Sequence, residues 1–121
     1  MATLAERRAE VVAAFVAQSV DAATVLGKRP PPYVAVIGEG IDTAHMIRGE
    51  ALATFRLALI AGAWDDEAAI GQLDTLKHEA LAVARALVGY SVGAMGRDVI
   101  RRIGASDQLA ADLFVSAYVT I

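Results

Sequence analysis

The chain of 121 residues is 56% apolar, has no cysteine and two histidines, and carries a formal net charge of −3. A domain of this length folds without staples, and the lack of cysteine excludes thiolate metal sites, thiol catalysis and disulfides. The acidic balance gives no global attraction to nucleic acid or to an anionic membrane, and the apolar run Leu57 to Trp64 is far below the ~20 residues that span a bilayer.

Arg7 and Arg8 precede an apolar run, but Glu6 and Glu10 interrupt the pattern and Val11 to Ala17 is short for a signal core. The expectation is one domain over 1–121, made and used without export. Its apolar surplus, much of it alanine, is the kind a neighbouring subunit covers.

Thr3 to Glu6 has the S/T-x-x-E form of a capping box and opens a helix. Leu4, Val11, Val12, Phe15, Val16 and Val20 form its apolar stripe, and its end is expected between Ala23 and Gly27. Lys28 to Pro32 is a stiff, extended connector. Tyr33 to Ile37 reads as a β-branched strand closed by a turn at Gly38-Glu39-Gly40, with Gly38 to Gly49 as the loop that follows.

From His45 to Ala61 the chain looks extended again, a long strand bent or bulged at Gly49, with Ala51, Ala53, Phe55, Leu57 and Leu59 on one face. Asp65, Asp66 and Glu67 supply an N-cap and acids where the helix dipole favours them. The helix they open carries Ile70, Leu73, Leu76, Ala80, Leu81, Ala84, Leu87 and Val88, a stripe of about 20 residues. Gly89, Gly93 and Gly96 break that pattern and mark a mobile stretch. Val99 to Gly104 forms a further strand and Ala105 to Gln108 a turn. The closing strand starts between Leu109 and Leu113 and ends at Ile121, with Leu113, Val115, Ala117, Val119 and Ile121 on one face.

The fold class that follows is α/β, more narrowly α+β. It is a small, mostly antiparallel sheet of about four strands with two helices packed on one face, in the order α-β-β-α-β-β.

Chemical motifs are sparse. Gly38-Glu39-Gly40 begins like a dinucleotide fingerprint, but position 43 is Thr, and Glu39 and Asp42 repel a pyrophosphate, which favours the turn. The acids at 65–67 are explained by the helix start better than by a cation. His45 lies near Asp42 and Glu50 in sequence, and His78 near Asp74 and Glu79, yet no G-x-S-x-G or H-E-x-x-H spacing accompanies them, so surface histidines are the simpler reading. Arg97, Arg101 and Arg102 sit on an expected edge strand, where they protect the edge or meet a charged subunit. No cofactor or metal is expected.

The element order then carries a resemblance. It rests on the N-terminal helix around Arg8 to Val12, the strand Tyr33 to Ile37 after a proline-bearing connector, the long strand Ala51 to Ile60, Trp64 to Glu67 opening a long helix, and the terminal strand Leu113 to Ile121. In these features the chain resembles the tail terminator, or tail-completion, proteins of long-tailed bacteriophages.

The resemblance implies a virion protein at the head-proximal end of the tail, assembled in the host cytoplasm. It implies a homohexameric ring that stops polymerisation of the tail tube protein and presents the surface that joins the head-tail connector or stopper. Genome DNA passes through the lumen without sequence-specific binding, no membrane is involved, and no catalytic residue is implied. Glu39, Asp42, His45, Arg48, Arg97, Arg101 and Arg102 are the expected contacts to neighbouring subunits or the tube. The alternatives are another connector or tube component of the same virion, and a small oligomeric α+β enzyme or ligand-binding domain using His45 with a nearby carboxylate.

Overall fold

The computed structural model describes residues 2–24, 26, 30–47 and 49–120, with the backbone alone for 43–47. Among them the element order is α1 (Leu4–Ala17), β1 (Ala22–Ala23), β2 (Tyr33–Ile47), β3 (Glu50–Ala63), α2 (Glu67–Ala86), β4 (Tyr90–Met95), β5 (Val99–Ile103) and β6 (Ser106–Thr120).

The α1 capping box forms as the sequence requires. The Thr3 hydroxyl accepts the Glu6 N–H and the Glu6 carboxylate accepts the Thr3 N–H, both at 3.2 Å. The helix ends at Ala17, well before the expected Ala23 to Gly27. Ser19 and Val20 N–H groups donate back to Val16 and Phe15 carbonyls at 3.0 Å, a Schellman closure with Ser19 at φ 61°. Val20 therefore reaches the core beside Phe15 through the cap and not through another helical turn.

A serine in that left-handed position is strained by its Cβ. Ser19→Gly is expected to add about 0.5–1 kcal/mol of stability, seen as a higher urea midpoint at unchanged slope. A lower midpoint would mean that the Ser19 hydroxyl contributes more than the strain costs.

The sheet runs β1-β2-β3-β6-β4, with β5 also on β6; β1 is parallel to β2 and the other pairings are antiparallel. The α+β class and the mostly antiparallel sheet stand. Among the described residues, however, the sheet has six strands and not four, in the order α-β-β-β-α-β-β-β.

Two added strands, β1 in place of the expected last turn of the first helix and β4, account for the number, and the bounds of other strands differ from those expected. The expected loop from Gly38 to Gly49 is the second half of β2, which stays paired to β3 through Ile41↔Ala53 and Asp42↔Leu52. Gly38-Glu39-Gly40 is a register shift inside that strand, not a turn, and the long strand expected from His45 is divided by the turn at Gly49, φ 80°. A strongly β-forming partner held the polar half of β2 in the ladder. The stretch expected to be mobile is β4. A Cβ built on Gly93 would sit 3.1 Å from the Phe114 carbonyl oxygen, so this glycine allows close strand approach. Finally, β6 begins at Ser106, ahead of the expected Leu109 to Leu113.

Alternation along β3 aims Ala53, Phe55, Leu57 and Leu59 at the helices, where they join Val34, Val36, Leu113, Val115 and Val119. From α1 come Val11 and Phe15, and from α2 Leu73, Leu76, Ala80, Val83 and Ala84, so both helices cover the same sheet face. A smaller cluster on the other face, Tyr33, Ala35, Ala58, Ile60 and Ala110, is packed by Leu26, Ile37 and Ile103. Ile121, expected on the core face of β6, lies outside the described residues.

One polar node fastens α1 to the sheet. The Tyr90 hydroxyl lies 2.9 Å from the Arg7 carbonyl and 3.1 Å from Glu10 Oε2. The Arg7 guanidinium stacks 5.2 Å from the Tyr90 ring centroid, and its Nε donates to the Tyr118 carbonyl at 3.2 Å. Burial, and then the hydrogen bond to Glu10, push the Tyr90 phenol up to about 12.

The unfolded chain releases that proton near 10, whereas the folded chain keeps it to about 12. The stabilisation is thus complete below pH 10 and is lost as pH rises from 10 to 12. In an absorbance titration at alkaline pH, Tyr90→Phe is expected to remove a late tyrosinate step, near pH 12. A wild-type titration with no late step would contradict this.

Candidate interaction surface

The strand alternation that feeds the core sends a second set of side chains to the uncovered face. On β3 these are Leu52, Thr54 and Arg56, and the register places them in rows across the sheet. Arg56 lies between Ile37 and Phe114, Thr54 between Gly40 and Ser116, and Leu52 between Asp42 and Tyr118. The Thr54 and Ser116 hydroxyls are 3.2 Å apart, and Tyr118 is 42% exposed.

Two ion pairs flank Phe114. Arg56 Nε is 3.6 Å from Glu39 Oε2, and Arg101 on β5 donates from one terminal nitrogen, Nη2, to both Asp112 carboxylate oxygens at 2.8 and 3.1 Å. This charge-assisted contact ties β5 to β6. Among the described residues, Arg56 Nε, Arg101 Nε and Gln108 Oε1 are buried without a hydrogen-bond partner. This face therefore carries half-buried aromatic and charged groups.

The residues expected to make contacts do not converge. Glu39 and Asp42 are exposed on β2, His45 lies on the same strand with its side chain outside the described residues, and Arg48 is outside them altogether. At the opposite edge, Arg97 is exposed in the link from β4 to β5. Arg102 is 67% exposed and 3.4 Å from Asp107, and Arg101 turns inward to Asp112. β3 and β6 separate the two groups. Sequence reading missed Arg56, Asp112, Phe114 and Tyr118. The signal was the single charge inside the apolar run Ala51 to Ile60, and the non-core face of the last strand.

The acids that open α2 are accounted for locally: Asp66 Oδ1 caps the Ala68 N–H at 3.0 Å. His78 is exposed on α2. Among the described residues no group of three or more His, Cys, Asp or Glu is placed to hold a metal ion, and no helix is long and apolar enough to cross a membrane. Neither a scan against protein families nor a search of curated proteins returns a match to the chain.

Proposed function

We propose that the chain is a structural subunit that assembles into a ring and caps the head-proximal end of a phage tail tube, as a tail terminator does. The observation that carries this reading is the sheet face that, among the described residues, no helix covers. Both helices lie on one side, while Arg56, Asp112, Phe114 and Tyr118 are left half-buried or exposed on the other. Such a face is suited to cover by a protein neighbour. A net acidic chain also suits a lumen through which DNA slides without sticking.

The test is co-incubation with the polymerising tube protein of the same virion. Terminator action shortens and narrows the distribution of tube lengths seen by negative stain. Unchanged lengths would remove the reading. Native mass spectrometry of the free protein, with a hexamer as the expected mass, adds an independent check on ring formation.

A further inference from the structure

We propose that a second copy of this chain docks edge to edge, with the outer edge of β2 from one copy pairing antiparallel to β5 of the next, so that the sheet continues from subunit to subunit. The contact deepens the ring reading and rests on it only for the claim that the series of contacts closes.

The edges themselves point to it. Among the described residues β1 pairs with β2 only at Val34 and Ala35, and Glu39, Gly40, Ile41 and Asp42 beyond that point are exposed. At the far side β5 pairs only with β6 among the described residues, so its outer edge is open as well. Open edges are templates for further strands. β2 runs antiparallel to β3, β3 to β6 and β6 to β5, so β5 of one copy laid beside β2 of another is antiparallel.

Two features choose this pairing over β2 against β2. The first is charge. The β2 edge bears Glu39 and Asp42, whereas the β5 side bears Arg97 and the exposed Arg102. Joining β2 to β2 would bring like carboxylates together, whereas β5 presents an edge that carries guanidinium groups. The attraction is between edges and not residue to residue, since Arg102 shares the helix side with Ile100 and Asp42 lies on the other. The second is an apolar pair. Ile41 lies opposite Ala53 and Ile100 opposite Leu109, so both occupy the helix side of the sheet, at its two opposite edges. They are 41% and 58% exposed. Continuation of the sheet brings these two side chains to the same face of a new strand pair, where each covers the other.

The chain has no cysteine of its own, which makes the contact directly testable. Ile41→Cys and Ile100→Cys are prepared as separate full-length proteins and treated, alone and mixed, with a bis-maleimide whose flexible spacer of about 10 Å tolerates a register offset of a few residues. The expected result is a crosslinked dimer in the mixture only, and a ladder of higher species from the doubly substituted chain. A dimer from Ile41→Cys alone, or from Ile100→Cys alone, would overturn the head-to-tail contact in favour of a symmetric one. No crosslink in any combination at concentrations where native mass spectrometry shows an oligomer would place the interface elsewhere. If the crosslinks form but tube lengths do not change, the edge contact stands and the capping role falls. If tube growth is arrested without crosslinks, only the edge contact falls.

Discussion

Phe55→Ala is expected to destabilise the protein by about 3–5 kcal/mol, a loss comparable with the whole stability of a marginal domain. Phe55 is fully buried on β3, between β2 and β6, and belongs to the cluster to which α1 and α2 both contribute. Its removal opens a cavity against neighbours that belong to backbone ladders on both sides. The strands cannot close the gap without giving up register, so relaxation is limited. The measurement is equilibrium urea denaturation followed by far-UV circular dichroism. A variant within 1 kcal/mol of the parent would mean that this core is loosely packed. Thr54→Ala, one residue away on the uncovered face, is the matched control, with an expected change of about 1 kcal/mol.

Deletion of residues 118–121 is the second large effect, with insoluble or non-cooperatively melting protein as the expected product. Val119 is fully buried, and its loss alone is worth roughly 1.5–3 kcal/mol. The deletion also removes the pairings Leu52↔Tyr118, Ala51↔Val119 and Glu50↔Thr120. The Thr120 N–H bond to the Ala2 carbonyl at 2.9 Å goes with them, and so does the Tyr118 carbonyl that holds Arg7. The damage therefore passes from the sheet to the seating of α1. Solubility after expression and a thermal melt decide the matter. A soluble truncation with a cooperative transition near that of the parent would show that the end of β6 contributes little.

What could be read in advance followed from periodicity. The alternation on β3 and β6 was plain because each buries one face along most of its length, and burial writes its period into the sequence. Of the stripe expected on α2, Leu73, Leu76, Ala80 and Ala84 are buried, whereas Ile70 is exposed and Val88 lies exposed beyond the helix end. The capping box of α1 was plain because its chemistry is local. β4 was hidden because an edge strand needs little apolar alternation, and Gly93, placed there for close approach, looks like a breaker when seen alone. The second half of β2 was hidden for a related reason: Gly38, Glu39, Gly40 and Asp42 are poor strand formers, held in place by β3 and not by their own preference. The premature end of α1 escaped because Ser19 does in the cap what glycine usually does.

The surface was less legible than the core. Glu39, Arg97, Arg101 and Arg102 were identifiable as charges of interest, but only tertiary pairing shows that Arg101 is spent on Asp112 and that Glu39 faces Arg56. Arg56 was visible as the one charge in an apolar run, yet its meaning depends on which strand lies on either side.

The position of β6 between β3 and the β4–β5 edge also sets an order in time. During synthesis the β2–β3 hairpin, α2, β4 and β5 all leave the ribosome before residues 106–120. Neither β4 nor β5 pairs with β3, so the side of β3 that β6 later occupies has no partner until the last segment arrives. Over that interval the nascent chain carries an open, strongly apolar edge, the state in which strand-rich proteins are most exposed to mispairing. Slow decoding over the final fifteen codons of β6 would lengthen the exposure, and a chaperone bound at the edge of β3 would shorten it.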